Sequence, residues 1–248
     1  MPLTLATVGP GEPEIFASVQ GEGPSAGQPA IFVRLSRCNL ACVWCDTAYT
    51  WRFAGDERPH RDDVHYRRTD EQIVLGEGDV AERILALPGE RLVVTGGEPL
   101  LQAPALVRML ALLKVARPGL AVEVETNGTV APPAALDVSV DQYNVSPKLA
   151  HSGNPAGRAL LGDRLAAFAG DPRAYFKFVV AAPDDLAEVT ALQQTHAIAF
   201  ERLFVMPEGT ASAVLRERGR WLADWAAIHG ARVSDRLHIH LYGDTRGT

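Results

Sequence analysis

Cys38, Cys42 and Cys45, in the run Arg37-Cys-Asn-Leu-Ala-Cys-Val-Trp-Cys-Asp46, are the only cysteines in 248 residues. Clustered so closely they cannot staple distant segments as a disulfide framework does, and a structural zinc site takes four ligands, not three. The C-x3-C-x2-C spacing lets one loop ligate three irons of a cubane [4Fe–4S] cluster, leaving the fourth iron open to a ligand that is not protein. Two other readings stand beside it: cysteines that are merely small buried hydrophobes, and zinc completed by a distant histidine, His60 and His65 being nearest in sequence.

Further polar runs follow. In Thr95-Gly96-Gly97-Glu98-Pro99, two glycines let backbone approach a ligand and expose N–H groups, and the carboxylate can accept from an ammonium; alone, such a run is as well a turn. Glu125-Thr126-Asn127-Gly128 and Ser146-Pro147-Lys148 come next. Lys148 stands out in a chain with three lysines and 21 arginines, although a solvated charge is the plain alternative. Ahead of the cysteines, Gln20 offers donors and acceptors, Glu22 an acceptor and Arg34 a bidentate fork for a carboxylate. Arg34 pairing with a structural acid, and Gln20–Gly23 being only a turn, are the competing readings.

Something must bring these runs together. Apolar, β-branched segments alternate with helical ones, the pattern of βα units on a parallel sheet. Strands are expected at Ala30–Leu35, Arg91–Thr95, Leu120–Glu125, Val138–Val145, Tyr175–Val180, Leu203–Met206 and Leu237–Leu241. Helices are expected at Asp70–Leu87, Pro104–Ala116, Gly157–Phe168, Asp184–Thr195 and Ala211–His229, two of them with acids at the N-terminus where the helix dipole favours them. The fold class is thus α/β, a single-domain partial (β/α) barrel over residues 1–248, with the cluster loop at 36–47. In such folds ligands bind at the carboxyl ends of the strands, and the first four expected strands run into the cysteine loop, TGGEP, ETNG and SPK in turn. They point at one shared pocket. Residues 51–68 break the alternation, as a polar crossover insertion that either lies solvated or forms a lid.

A net charge of -6 speaks against a broad nucleic-acid-binding surface. No basic-then-apolar leader and no run of 18 uninterrupted apolar residues is seen, so a cytoplasmic, non-membrane protein is expected, in a compartment that keeps thiolates reduced.

The cysteine loop coupled to TGGEP resembles the radical S-adenosylmethionine superfamily. Glu14 to Gly23, Ile31 to Leu35, Cys38-Asn39-Leu40, Cys45-Asp46-Thr47, TGGEP, ETNGT and SPK together, over the first 150 residues or so, resemble the 7-carboxy-7-deazaguanine synthases, radical lyases of queuosine and deazapurine biosynthesis. The resemblance implies a [4Fe–4S] cluster, S-adenosylmethionine and Mg2+ as cofactors, and 6-carboxy-5,6,7,8-tetrahydropterin as substrate. It implies that a 5′-deoxyadenosyl radical removes the C6 hydrogen, that the ring contracts with Mg2+ assistance and loss of ammonia, and that S-adenosylmethionine acts catalytically. By the same resemblance S-adenosylmethionine would lie against Trp44, Asp46, Gly97, Glu98, Glu125, Asn127, Ser146, Pro147 and Lys148, with Trp44 equally readable as core packing. Val19, Gln20, Gly21, Glu22, Arg34 and Thr95 would bind substrate, and Thr47 would ligate Mg2+, which takes few protein oxygens; without the resemblance Thr47 reads as a cap. Partners implied are an electron donor such as a flavodoxin or ferredoxin and a second copy in a homodimer, with no direct nucleic acid. The competing functions are a glycyl-radical-enzyme activase and a non-enzymatic metal-binding protein. The C-terminus departs from the Gln-Thr-His-Lys ending of many relatives, and His238 and His240, alternating on an expected strand, would share a face; their role and that of Tyr242 are open. No general base is nominated.

Overall fold

A computed structural model describes residues 2–248. Eleven strands form one sheet: β1 (Leu3–Gly9), β2 (Glu12–Pro13), β3 (Ile15–Val19), β4 (Pro29–Leu35), β5 (Gln72–Leu75), β6 (Arg91–Gly96), β7 (Ala121–Thr126), β8 (Gln142–Val145), β9 (Ala174–Val180), β10 (Leu203–Pro207) and β11 (Arg232–Val233). The order is β11-β10-β9-β8-β7-β6-β4-β1-β2, with β3 also on β4 and β5 on β1. From β4 to β11 all neighbours in that order run parallel; β1, β2, β3 and β5 pair antiparallel. The end strands β11 and β2 do not meet, so the α/β barrel is partial. The longer helices are α2 (Glu77–Leu85), α3 (Ala103–Ala116), α6 (Gly162–Gly170), α7 (Asp185–His196) and α8 (Ser212–His229); α1 (Arg68–Glu71), α4 (Ala134–Asp137), α5 (Ala156–Ala159) and α9 (Leu237–Tyr242) are short.

Side chains alternate across each strand, and the two faces differ in kind. On one face Ile31, Val33, Leu92, Val94, Val122, Val124, Tyr143, Phe176 and Phe178 are fully buried in the main core, which also takes Leu106, Met109, Leu110 and Leu113 of α3. The stretch Pro99–Ala116 is apolar and long enough to cross a bilayer by composition, but those four fully buried side chains make it a core helix. The alternate positions Arg34, Thr95, Glu123, Glu125, Asn144 and Lys177 carry polar groups on the other face, relieved by a small apolar cluster of Ala30, Phe32 and Val93 with Phe16 packed on it.

Several expected boundaries moved. Leu237–Leu241 is helix α9, not a strand: the preceding edge strand β11 is only two residues long, and the chain leaves the sheet at Ser234. Asp70–Leu87 is not one helix, because Gln72-Ile73-Val74-Leu75 pairs with β1 as an edge strand and Gly76 starts α2 afresh. Val138–Val145 begins as a strand only at Gln142; Val138 ends α4 and is 84% exposed. Gly157–Phe168 is divided into α5 and α6 at Leu160–Leu161. Strands β1 and β3, neither expected, extend the sheet past β4.

Candidate active site

The carboxyl ends of β4, β6, β7 and β8 converge on one cavity of about 250 Å³. Cys38, Cys42 and Cys45 line it, from the loop that follows β4. Asn154 donates Nδ2 to Cys42 Sγ at 3.3 Å and Asn127 donates to Cys38 Sγ at 3.9 Å, while Thr47 Oγ1 lies 3.6 Å from Cys45 Sγ. Burial raises the pKa of all three thiols, Cys42 to about 11, against the hydrogen bonds and Lys148. These sulfurs therefore want a positive partner before they ionise, which ligated iron supplies. The three thiols come from one loop, and a cubane takes one thiolate per iron.

The two glycines after β6 have a steric reason: a Cβ at Gly96 or Gly97 would collide with the backbone of Leu35 or Arg37. The N–H of Gly97 donates to Leu35 O at 3.0 Å and that of Glu98 to Arg37 O at 2.9 Å. The expectation that these N–H groups stand free is thus corrected: they fasten the run to the cysteine loop. Glu98 is fully buried, caps the turn after it by accepting from Leu100 N at 3.0 Å, and accepts from Asn127 N at 2.7 Å and Thr126 Oγ1 at 2.9 Å. Burial pushes its carboxyl up to about 7 despite those donors. Glu98 and Pro147, both buried, do not line the cavity; Trp44, Asp46, Gly97, Glu125, Asn127, Ser146 and Lys148 do. The Trp44 indole N–H is buried without a hydrogen-bond partner among the described residues, and Lys148 Nζ sits 5.6 Å above the ring.

Opposite the cysteines stands a wall of charge. Lys177 donates to Glu22 at 2.6 Å and to Glu125 at 2.9 Å. Arg236 donates to Glu22 at 3.1 Å, to Gly209 O at 2.6 Å and to Asp46. Burial alone would raise the Glu22 pKa, but Lys177, Arg236 and His238 outweigh it and hold the carboxyl well below its usual range. Asp46 is lowered in the same way, burial being overcome chiefly by Arg236. Glu125 goes the other way, burial and the charge of Glu22 outweighing Lys177. Asp46 thus ties the cluster loop to the far wall through Arg236.

Gln20 lines the cavity at 3% exposure, but its side chain is occupied: Nε2 donates to Glu123 at 3.3 Å and Oε1 accepts from Glu22 N at 3.2 Å. Arg34 pairs through Nε with buried Glu14 at 2.7 Å, and Tyr49 donates to the other oxygen of Glu14 at 2.9 Å. Val19, Gly21, Glu22, Arg34, Thr47 and Thr95 all border the cavity.

Sequence reasoning missed Glu14, Glu123, Asn154, Lys177 and Arg236. Lys177 and Glu123 left a signal: a charge at alternate positions of apolar strands, Phe-Lys-Phe and Val-Glu-Val. Glu14 stood in the run from Glu14 to Gly23 without a role of its own, and Asn154 and Arg236 left no signal, since only the fold brings them in. Residues 51–68 are not simply solvated: Trp51, Arg52 and Phe53 are buried, His60 Nε2 lies 2.8 Å from Cys45 O, and Arg61 N donates to Val43 O at 2.8 Å. The last residues, Asp244–Thr248, also border the cavity, with Arg246 stacked 3.6 Å over Tyr49.

Residues 33–149 match the Radical SAM superfamily. A 7-carboxy-7-deazaguanine synthase of Pyrobaculum aerophilum is 39% identical over 94% of this chain and 95% of its own length. The enzyme of that name from Halobacterium salinarum is 35% identical, covering 95% and 91%. The chain belongs to the 7-carboxy-7-deazaguanine synthase family. In fold it is similar to QueE from Escherichia coli, with a TM-score of 0.68, 24% identity, and 96% and 95% of the two chains covered. Membership makes it a radical S-adenosylmethionine enzyme, whose superfamily works with a [4Fe–4S] cluster and S-adenosylmethionine. The three thiols lining the cavity, Cys42 buried and Cys38 and Cys45 half-buried, two with amide donors aimed at sulfur, fit that cluster, and the unpartnered Trp44 N–H beside Lys148 fits a polar cofactor next to it.

Proposed function

We propose that this protein converts 6-carboxy-5,6,7,8-tetrahydropterin to 7-carboxy-7-deazaguanine with loss of ammonia, as a single domain over residues 1–248. The observation that carries the reading is that one cavity joins the three cysteines to Glu22, Arg34, Thr47 and Thr95, acceptor, cation and hydroxyls suited to a pterin carboxylate and its donor edge. When bound, the cluster and S-adenosylmethionine supply hydrogen-atom abstraction from C6 of the substrate. Cys38, Cys42 and Cys45 would hold the cluster. Trp44, Gly97, Glu125, Asn127, Ser146 and Lys148 would hold S-adenosylmethionine, with Asp46, Glu98 and Pro147 supporting that wall from behind or from the side.

Glu22, kept ionised by Lys177 and Arg236, accepts from the guanidine-like edge of the pterin. Arg34 has five N–H donors, of which Nε is bonded to Glu14; the terminal groups can fork onto the substrate carboxylate. With the Gln20 carboxamide and its backbone N–H both bonded within the protein, Gln20 would shape the pocket together with Val19 and Gly21. Thr47 would hold Mg2+ through its hydroxyl, an ion that needs few protein oxygens and would supply positive charge for the substrate carboxylate. A flavodoxin- or ferredoxin-type donor supplies the electron, a homodimer is the working assembly, and the cytoplasm is the compartment.

Anaerobic incubation of the reconstituted protein with substrate, S-adenosylmethionine, Mg2+ and reductant is expected to yield the deazaguanine and ammonia in equal amounts. An intact cluster with no product overturns the reading. Product with a glycyl-radical-enzyme peptide in place of the pterin would favour the activase instead.

A further inference from the structure

Most ionisable groups around the cavity are committed. Glu22 and Glu125 are bonded to Lys177, Asp46 to Arg236, Arg34 and Tyr49 to Glu14, and Lys148 to Ser146. His238, on α9, also borders the cavity, and its side chain is 22% exposed there. Among the described residues neither of its ring nitrogens has a hydrogen-bond partner; Nε2 comes no nearer to Glu22 than 3.9 Å. Two residues on, His240 has both nitrogens engaged, Nδ1 with Ser212 Oγ and Nε2 with Asp235 at 3.1 Å. The site also keeps His238 in place. Leu237 N donates to Gly21 O at 3.0 Å, and a Cβ at Gly21 would press on the His238 ring where it now stands.

We propose that His238 is the catalytic residue that carries the proton displaced as ammonia leaves, an inference that rests on the substrate assignment above. After ring contraction, a C–H bond beside the carbon bearing the departing amino group breaks, and its electron pair forms the new ring double bond as the C–N bond breaks. The proton passes to a free imidazole nitrogen and from there to the departing nitrogen, so that neutral ammonia leaves and the imidazole is restored. No net oxidation or reduction accompanies this step. A base at the start must be neutral, and the surroundings of His238 favour that form: burial lowers its pKa, Arg236 and Arg34 lower it further, and Glu22 and Asp46 offset only part. A general base near its working pH contributes on the order of 10²-fold or more.

The test uses the reconstituted holoenzyme with substrate deuterated at C6, following label transfer to S-adenosylmethionine, product formation and substrate affinity separately. His238→Gln is expected to bind substrate within about threefold of wild type and to transfer label, yet to form product about 100-fold more slowly, with the acid limb of the pH–rate profile flattened. His238→Ala should recover with added imidazole, a readout that survives if the Gln variant folds poorly. Product formation by His238→Gln within about threefold of wild type, or an unchanged pH profile, overturns the proposal. Parallel loss of binding and label transfer would assign His238 to positioning, and also overturns it. If wild type transfers no label, the substrate assignment itself falls and the proposal with it.

Discussion

The cavity has two walls built in different ways. The cluster wall, from Cys38 to Thr47, is one loop whose chemistry is set by spacing along the chain. The charged wall is assembled from Glu22, Glu125, Lys177 and Arg236, the outermost pair lying 214 residues apart, and exists only once β3, β7, β9 and α9 have come together. The first wall is where the reactive cofactors would sit, and although its motif is local, Glu98 and Asn154 fasten it from elsewhere in the fold. The second has the charges that selectivity would need and is part of the fold's own electrostatics. Asp46, bonded to Arg236, is the hinge between them.

The sharpest way to separate the walls is to remove one. Cys42→Ser should abolish iron–sulfur absorbance and product formation after reconstitution, while circular dichroism of the protein stays that of wild type. If the variant instead unfolds, the cluster wall is structural as well and the contrast fails.

Lys177→Met attacks the other wall. It leaves the half-buried Glu22 and Glu125 without their shared cation, Glu22 keeping only Arg236, and breaking a buried pair costs about 3–5 kcal/mol. Urea unfolding is expected to reveal a loss of that size, with cluster binding kept and Glu22→Gln in the same chain restoring part of it. A loss under about 1 kcal/mol would mean that the wall does not depend on this pairing. The sign of the pH dependence follows from Glu22. Its folded pKa lies below the ordinary 4.5, so its stabilisation is present above that pH and is lost as the pH falls through the folded value. Wild type should therefore lose more stability on acidification than Glu22→Gln.

The same contrast explains what could be read from the chain. The cysteine loop, TGGEP, ETNG and SPK were legible because each is a local run at the end of a strand, and strand ends must share a side of a parallel sheet. Lys177 and Glu123 were half legible, as charges interrupting apolar alternation. Arg236 was not, because nothing near it in sequence tells that α9 will fold back onto Gly21. The segment 237–241 alternates like a strand, yet it becomes a helix because β11 is too short to carry it onward and Gly21 offers a backbone acceptor to Leu237. Arg34 was read as a carboxylate clamp beside the alternative of a structural acid, and that acid is present: Glu14 is supplied by the stretch between β2 and β3.

At the junction of the walls, Thr47 and Gly21 allow finer tests. Thr47→Ala should leave the cluster spectrum unchanged and raise the Mg2+ needed for half-maximal rate by at least about tenfold; an unaltered Mg2+ response removes Thr47 as the ligand. The smallest effect is expected from Gly21→Ala. Its φ is not in the left-handed region, so the backbone accepts alanine without strain, and the cost comes from the added methyl against the His238 ring. The imidazole can swing aside but the His238 backbone N, 3.1 Å from the added methyl, must give a little too, so the cost should be about 1–2 kcal/mol, in the lower part of the range for overpacking. That displacement moves His238 without touching its chemistry. Substrate affinity should fall about fivefold or less, and product formation should slow while label transfer from C6 stays near wild type. A Gly21→Ala enzyme indistinguishable from wild type in both would mean that the position of α9 against the substrate loop is not set by this contact.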